Sequence, residues 1–394
     1  MIPQNHLVER TKTQMGGAVL PGGRLQIPWW NIELGDDVTA AVVAALRDRR
    51  VSQGQLTEEL EARLAELLGV PFAVCTTSGT TALLIALLAA GIGPGDEVIV
   101  PDRTYVATAN AARLLGATIR LADVEADRPL LAVEELAKLI NARTRAIIPV
   151  HLNGRAAAVK RIGEIAEKNG IAVIEDACQA FCSQTAGGEL LGTCSRFGCF
   201  SLGMAKLLST GQGGFVTCHS RKDADSLRRI KNQGVFDPHR EQRFDTVAGN
   251  FKLTDVQAAM GLAQLSLLPA RQARMRVLYE AYVVGLRSCA CLREVGVRCA
   301  AGELPLRAEF LCSDRDQFIR EMQQRGIQVV PQTPSLHHSA HLDARGSFPR
   351  AAVYDGHLLI LPSGPDQPAE NVSAAICAAS EVGSALPPWP GREP

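Results

Sequence analysis

Short apolar segments alternate with helical segments through the first half of this chain, and this alternation limits the fold more than any other feature. Segments typical of strands lie at 72–75, 97–100, 117–124, 146–150, 172–175, 198–201 and 215–218. Helical periodicity lies between several of them, at 80–90, 106–115, 132–140 and 160–169. Strands joined by helices usually form a mostly parallel sheet with helices on both faces. We therefore predict a three-layer α/β/α domain.

The length of 394 residues is too great for one small core and indicates more than one unit. Two helices precede the alternating region, the second with Thr57 as its predicted N-cap, and two long helices follow it. We assign residues 31–285 to a large domain and residues 286–394 to a smaller C-terminal α+β domain. The proline-rich end of the small domain is expected to be a mobile tail. Residues 1–30 are predicted to form an N-terminal arm.

Composition favours an enzyme that acts on small molecules. The 41 basic residues balance 41 acidic ones, so no net charge attracts nucleic acid or an anionic membrane. The longest apolar run, 82–92, is shorter than a membrane span, and no export signal is apparent, so we expect a soluble cytoplasmic protein. The 11 cysteines form no Cys-x-x-Cys pair, which is typical of buried thiols in a reducing compartment.

The segment 198–214 contains a single charged residue, Lys206, among small and apolar neighbours. Burial disfavours an ammonium group, so a lysine in such surroundings is a candidate for forming a Schiff base. The alternative is an ordinary lysine at the edge of a loop, since most lysines are exposed. This segment by itself leaves both interpretations open.

Three further groups are predicted to lie at the carboxyl ends of strands, where folds of this class bind ligands. Gly79 and Thr80 follow a strand and open a helix, so their backbone N–H groups can bind a phosphate or simply begin the helix. Asp176 follows an apolar strand and can pair with a cation or cap a helix. Tyr105 can stack on a flat ring or lie half-buried in the core.

A lysine, an acid and a phosphate site are together what pyridoxal phosphate (PLP) requires of a protein. The segments around these groups are ordered motifs: SGTTAL at 78–83, GDEVIVP at 95–101, TYVATAN at 104–110, PVHLNG at 149–154, EDACQA at 175–180, FSLGMAK at 200–206 and GQGG at 211–214. With these motifs the sequence resembles the DegT/DnrJ/StrS family of sugar and aminocyclitol aminotransferases, which are PLP enzymes of fold type I. The resemblance extends from about residue 32 to about residue 379.

The resemblance implies a role for the residues around the cofactor ring. Lys206 would carry PLP as a Schiff base, and Asp176 would pair with the pyridine nitrogen. Gln179 would hydrogen-bond the phenolic oxygen, and Tyr105 would stack on the ring.

The resemblance also implies a phosphate site and a dimer. Gly79, Thr80 and Ser201 would hold the phosphate of PLP. Asn250 matches an asparagine that reaches the phosphate of the neighbouring subunit in this family, which implies a homodimer with shared active sites.

Two residues are expected near the substrate. His337 matches a family position at the substrate, while a zinc site formed with His338 and His341 lacks a fourth ligand, so no metal is expected. Lys252 replaces an arginine that is usual in the family, and Gln212 replaces a glutamate. These changes alter charge around the site, so they affect the choice of substrates more than the reaction.

The activity implied is a ping-pong transamination through pyridoxamine phosphate. The amino donor would be glutamate or glutamine, and the acceptor a keto-sugar linked to a nucleotide, or a ketocyclitol. Two alternatives stay open: a PLP enzyme of this fold that performs elimination or dehydration, and a catalytically silent relative with a regulatory role. A dehydrating branch of the family carries histidine in place of the lysine, so Lys206 favours transamination.

Overall fold

The structure is a computed structural model in which residues 27–237, 240–241 and 243–390 are described. The larger part contains seven strands: Phe72–Thr76 (β1), Glu97–Pro101 (β2), Thr118–Ala122 (β3), Thr144–Ile147 (β4), Ala172–Asp176 (β5), Phe197–Ser201 (β6) and Gly214–Cys218 (β7). They form one sheet with the order β1-β7-β6-β5-β4-β2-β3. Neighbouring strands are parallel except at β7, which is antiparallel to both β1 and β6. The predicted mostly parallel sheet is confirmed.

Helices cover both faces of this sheet. They are Gly35–Arg47 (α1), Gln55–Leu68 (α2), Gly79–Ala89 (α3), Ala107–Leu114 (α4), Leu136–Leu139 (α5), Val159–Lys168 (α6), Arg221–Lys231 (α7), Asp255–Gln264 (α8) and Leu268–Gly285 (α9). Successive strand residues point to opposite faces: Val74 belongs to the apolar cluster that includes residues of α3, α4 and α7, while Cys75 belongs to the one that includes residues of α2, α8 and α9. Because both faces are buried, most residues of the strands are apolar, as the three-layer prediction requires.

A second, antiparallel sheet follows α9. Its strands are Leu292–Glu294 (β8), Ala308–Cys312 (β9), Val330–Pro331 (β10) and Leu358–Leu361 (β11), in the order β10-β11-β9-β8. Its helices are Arg315–Gln324 (α10), Pro349–Ala352 (α11) and Ala369–Ser384 (α12). Phe310 and Phe318 lie in a separate apolar core between this sheet, α10 and α12. The predicted α+β unit is therefore present, while the boundary at residue 286 stays a proposal.

A helix that crosses a membrane must be both long and apolar. None of the described helices combines the length and the apolar composition that a membrane crossing requires.

The proline-rich end of the chain, whose mobility stays a prediction, contacts the small unit through Trp389. Trp389 is only 7% exposed, and its backbone N–H donates to the carbonyl oxygen of Ala290 at 2.8 Å. Its ring contacts the imidazole of His357 edge-on, with centroids 5.2 Å apart. Burial of this one aromatic side chain holds the chain on the small sheet up to residue 390. Residues 391–394 lie outside the described residues.

Most of the predicted N-terminal arm, residues 1–26, also lies outside the described residues. The end of the arm pairs with two segments next to the small sheet. Ile27 forms a parallel bridge with Ile327, just before β10, and Trp30 forms one with Ser363, just after β11. The Trp30 indole N–H also donates to the carbonyl oxygen of Met204 at 3.2 Å. The end of the arm therefore lies close to the loop that carries Lys206.

A buried ion pair joins the large and small units. Arg155, in the loop after β4, donates to Oε2 of Glu309 in β9 at 2.8 Å, and both side chains are fully buried. The same guanidinium donates to the carbonyl oxygens of Val295 at 2.7 Å and Gly296 at 3.0 Å. Because these partners lie on the small unit, the pair fixes the position of that unit over the large sheet.

Replacing Arg155 with methionine is expected to lower the free energy of unfolding by about 3–5 kcal/mol, because the Glu309 carboxylate would stay buried without its cation. The double variant Arg155→Met, Glu309→Met should recover much of this loss, since it removes both buried charges. Urea unfolding followed by circular dichroism measures all three proteins. Equal losses in the single and double variants would show that packing, not charge pairing, dominates here.

Candidate active site

A cavity of about 340 Å³ opens at the carboxyl ends of the central strands, between the large sheet and the segment that precedes β9. This is the edge at which parallel sheets bind their ligands. Seven of the residues predicted from the sequence line it: Gly79, Thr80, Tyr105, Asp176, Gln179, Ser201 and Lys206. The fold therefore brings together side chains that lie up to 127 positions apart in the printed sequence.

The turn from β1 into α3 presents backbone N–H groups to this cavity. Ser78 is the N-cap of α3, and its hydroxyl accepts from the backbone N–H of Thr81 at 3.1 Å, while Thr81 Oγ1 accepts from the backbone N–H of Ser78 at 2.8 Å. Gly79 and Thr80 follow in the first turn, where N–H groups have no acceptor within the helix. With the positive end of the helix dipole, they form a site suited to a phosphate.

Glycine is required at position 79 because the helix start lies against β6. A Cβ atom placed on Gly79 would come within 2.8 Å of Cys178 Sγ and 2.8 Å of Ser201 Cβ. This close packing places the Ser201 hydroxyl next to the free N–H groups of the turn. A hydroxyl and a helix start side by side match the donors that a phosphate group needs.

Asp176 is the last residue of β5, and its buried side chain lines the cavity. The groups that hydrogen-bond its carboxylate are uncharged. Thr108 Oγ1 donates to its Oδ2 at 2.7 Å, and the backbone N–H of Cys178 donates to its Oδ1 at 3.1 Å. The hydroxyl of Thr108 is in turn 2.8 Å from that of Thr104, four residues earlier in the turn that precedes α4. A buried carboxylate fixed in this way can stabilise a cation in the cavity, such as a protonated ring nitrogen.

Lys206 lies in the loop after β6, partly buried in the cavity wall. Burial and, to a smaller extent, the positive charge of Arg307 lower the pKa of its amine to about 8, while Cys178 and Asp176 act in the opposite direction. A larger fraction of the amine is therefore neutral, and able to act as a nucleophile, at a pH near neutrality than for an ordinary lysine.

Gln179 and Tyr105 complete the part of the cavity predicted from the sequence. The carbonyl oxygen of the Gln179 side chain accepts from the backbone N–H of Asn153 at 3.1 Å, which orients the side-chain amide. The Tyr105 ring is 56% exposed where the cavity opens. A large aromatic ring exposed beside a cavity is available for stacking on a flat ligand.

Three predicted residues are placed outside the lining of the cavity. The exposed Asn250 forms an antiparallel bridge with Asn232, whose side-chain oxygen accepts from Lys252 Nζ at 2.8 Å. His337 donates its backbone N–H to Asp102 at 2.7 Å, and its Nδ1 lies 2.6 Å from the other oxygen of that carboxylate. The roles of these residues in binding substrate or a neighbouring subunit stay predictions.

The histidines weighed as a zinc site are separated by the fold. His337 and His338 lie near Asp355, with one ligand atom of each within 4.8 Å of the others. His341 Nε2 instead lies 2.8 Å from Asn110 Oδ1. The spacing of the three histidines in the sequence therefore does not place them on one centre.

Several cavity residues were not assigned from the sequence. Thr108 lies in the motif at 104–110, and Thr104 is four positions earlier, just before the start of α4, so this spacing could have indicated that the two hydroxyls lie close together. Arg103 and Arg307 also line the cavity. No local pattern marks these arginines, since their positions depend on contacts between distant segments.

The residues of the cavity fit PLP. The helix start of α3 offers a phosphate site, Asp176 offers a buried carboxylate, and Lys206 offers an amine of lowered pKa in the same cavity. With the seven-stranded sheet and the small α+β unit, this arrangement defines a PLP-dependent enzyme of fold type I.

Comparison with known proteins identifies the family. Residues 33–379 match the model of the DegT/DnrJ/EryC1/StrS aminotransferase family, and the chain belongs to that family. GDP-perosamine synthase of Caulobacter vibrioides is 37% identical over 294 residues, which are 73% of this chain and 78% of that protein. A dTDP-3-amino-3,4,6-trideoxy-alpha-D-glucose transaminase of Streptomyces venezuelae is 33% identical, over 84% of this chain and 88% of that one.

A solved structure of the Streptomyces venezuelae protein DesV, in complex with a ketimine intermediate, superposes with a TM-score of 0.86 at 30% identity. The match covers 92% of this chain and 100% of that one. The fold class, the aminotransferase activity and the PLP cofactor predicted from the sequence are thereby confirmed.

Proposed function

We propose that this aminotransferase transfers the amino group of glutamate or glutamine to a keto-sugar linked to a nucleotide, or to a ketocyclitol. The observation that carries the proposal is that Lys206 and Asp176 face one cavity beside the start of α3. Two relatives are named for amino-sugar products, which favours a sugar as the acceptor. The lysine at position 206 is less consistent with the dehydrating branch of the family, which carries histidine there, and its place in the cavity lining is less consistent with a silent relative.

When bound, PLP supplies an electrophilic carbon and a ring that accepts electrons. The Lys206 amine would bond to that carbon in the resting enzyme and would move the proton of the substrate α-carbon during turnover. Asp176 would keep a proton on the ring nitrogen, and Thr108 holds the Asp176 carboxylate in position for this task. Both catalytic groups act from fixed elements, β5 and the loop after β6.

The remaining residues would bind and orient. The backbone N–H groups of Gly79 and Thr80 and the Ser201 hydroxyl would hold the phosphate. Tyr105 would cover one face of the ring, and Gln179 would donate its side-chain amide to the phenolic oxygen. None of these groups needs to move a proton, because their task is to keep the ring between Lys206 and the substrate.

The experiment that tests this proposal starts from enzyme loaded with pyridoxamine phosphate. Nucleotide-linked keto-sugars and ketocyclitols are added one at a time, and return of the yellow absorbance of the pyridoxal form reports amino transfer. Return of that absorbance with a keto-sugar supports the proposal. If instead the products are dehydrated sugars and the pyridoxamine form is regenerated without an external amine, the proposal is wrong.

We also propose that the enzyme works in the cytoplasm. The chain contains 11 cysteines and no Cys-x-x-Cys pair, a composition typical of thiols that are kept reduced in that compartment.

A homodimer with shared active sites is the further part of this proposal. Asn250 is exposed and lies outside the cavity of its own chain. The preceding segment also exposes Phe236, Phe244 and Val247, at 49%, 63% and 81% respectively. Apolar side chains exposed together are typical of an interface. In this arrangement Asn250 would reach the phosphate site of the neighbouring subunit, with Lys252 and His337 close to the substrate.

Mixing two inactive variants tests the shared site. Lys206→Ala and Asn250→Asp are each expected to be inactive alone, the second because a carboxylate would repel the phosphate. If the site is shared, a mixed dimer contains one site in which both residues are native. After the two variants are unfolded and refolded together, half of the dimers are mixed and each has one active site out of two. About a quarter of the wild-type activity should therefore return. If Asn250 acts within its own chain, no activity returns.

A further inference from the structure

Arg307 is a cation in the active-site cavity that the proposed roles do not use. It precedes β9 by one residue and lines the cavity together with Lys206. Its Nε atom is buried and has no hydrogen-bond partner. Burial lowers the pKa of the guanidinium, while the charge of Glu309 opposes this shift. An arginine keeps its proton even so, and a partly buried cation with no carboxylate in contact is costly.

Arg307 is distinct among the arginines with an unpartnered Nε in the described part of the chain. The other three have a carboxylate beside the guanidinium: Arg103 with Asp355 at 3.5 Å, Arg128 with Glu303 at 2.6 Å, and Arg271 with Asp366 at 3.0 Å. The guanidinium of Arg307 has no carboxylate partner and no hydrogen bond among the described residues. Its donors are therefore free to bind an anion that enters the cavity.

The backbone and the ring beneath it hold Arg307 in place. Asn153 accepts from the backbone N–H of Arg307 at 2.8 Å and donates its side-chain amide to the Arg307 carbonyl oxygen at 3.0 Å. The guanidinium lies over the Trp29 ring, with its carbon 5.7 Å from the centroid. Stacking on an aromatic ring stabilises a guanidinium and leaves its N–H groups in the plane available. The Arg307 guanidinium is therefore held in position before any ligand binds.

We propose that Arg307 binds the carboxylate of the amino-acid donor and so determines that this enzyme takes its amine from an α-amino acid. The inference rests on the proposed function. Guanidinium and carboxylate pair through two parallel hydrogen bonds, so the residue type fits this ligand. The donor carboxylate is attached directly to the carbon that bears the amine, so it must lie close to Lys206 when the amine reacts.

The location of Arg307 favours the donor over the keto substrate as the source of the anion. The charge of Arg307 is close enough to Lys206 to contribute to the lowered pKa of that amine. The phosphates of a nucleotide-linked sugar are separated from the reacting ketone by most of the sugar ring, and the ketone itself carries no charge. A free anion-binding group beside the reactive lysine therefore matches the α-carboxylate of an amino acid.

The test compares holoenzyme of the wild type with Arg307→Met, Arg307→Lys and Arg298→Met. Arg298 lies on the same unit but is 61% exposed, so Arg298→Met controls for the loss of one positive charge. Binding of 2-oxoglutarate to the pyridoxal form, in which it cannot react, is measured by calorimetry. The two half-reactions are then measured separately, by absorbance, with L-glutamate or L-glutamine and with the keto substrate.

Arg307→Met should weaken 2-oxoglutarate binding and raise KM for the donor about 10- to 100-fold, with KM for the keto substrate unchanged. Arg307→Lys should recover part of the loss, because it keeps the charge without the two parallel donors, and it remains informative if the methionine variant does not fold. Arg298→Met should resemble the wild type.

Three results would overturn the inference. The first is unchanged binding of 2-oxoglutarate in both Arg307 variants. The second is a loss of activity confined to the keto substrate, which would assign the anion to that substrate. The third is an equal loss of activity in both half-reactions. A failure of the proposed function gives a different result. If the wild-type enzyme transfers no amine from glutamate or glutamine, the proposed function is wrong, while calorimetry still measures whether Arg307 binds a carboxylate.

Discussion

Replacing Lys206 with alanine is expected to abolish the covalent retention of PLP and to lower kcat at least about 10⁴-fold. The loss is large because one side chain would both bond to the cofactor and move the proton of the substrate. The surroundings of Lys206 support this double use, since burial and Arg307 hold the pKa of its amine at about 8. Borohydride reduction followed by mass spectrometry measures the covalent adduct, and single-turnover absorbance measures amino transfer.

Two variants make this result specific. Lys206→Arg keeps the positive charge but cannot bond to the cofactor, so it should be as inactive as Lys206→Ala. Lys138→Ala removes a lysine that is 68% exposed and bonded only to Glu135, and it should retain full activity and the adduct. An adduct that persists on another lysine in Lys206→Ala, with turnover intact, would remove Lys206 from the chemistry.

The site could be predicted from the sequence where it depends on the ends of strands. Gly79, Asp176 and Ser201 each lie at or just after an apolar strand, and parallel strands bring their carboxyl ends to one edge. The alternation of strands and helices therefore fixed which side chains could meet. The resemblance to the family then supplied roles for Gln179 and Tyr105, which local chemistry alone left open.

Contacts between distant segments could not be predicted in this way. Thr57 was expected to cap α2, but α2 begins at Gln55, and the carboxylate of Asp255 accepts from the backbone N–H groups of Gly54 and Thr57 at 2.8 and 2.9 Å. Thr57 itself donates its hydroxyl to Asp255 at 2.7 Å. A residue about 200 positions away thus replaces the local cap, and no local pattern reports this.

The same reason explains why Arg307 and Trp389 were missed. Each acquires its surroundings from one or two partners far away in the sequence, Asn153 and Trp29 for Arg307, and His357 for Trp389. Periodicity describes whole elements, because many residues contribute to it. A single side chain that packs against a distant segment leaves no such pattern.

Replacing Asp176 with asparagine is expected to lower kcat about 10²- to 10⁴-fold while PLP stays bonded to Lys206. Asparagine has nearly the same shape and can still accept from Thr108 or from the Cys178 N–H, so the fold should be retained. It carries no negative charge, however, and cannot stabilise a protonated ring nitrogen. The variant should therefore separate attachment of the cofactor, which needs Lys206, from its use as an electron acceptor, which needs Asp176.

Thr108→Val is the matched control, because it removes the hydroxyl that donates to Asp176 at 2.7 Å and leaves the carboxylate in place. Loss of one hydrogen bond to a charged group corresponds to about 1.5–3 kcal/mol, so kcat should fall only about 10- to 100-fold, less than for Asp176→Asn. The comparison is made by single-turnover absorbance with glutamate, alongside the borohydride adduct for each protein. If Thr108→Val and Asp176→Asn lose the same activity, the position of the carboxylate matters as much as its charge. If neither loses activity, the ring nitrogen does not depend on Asp176, and the proton must be held by another group of the cavity.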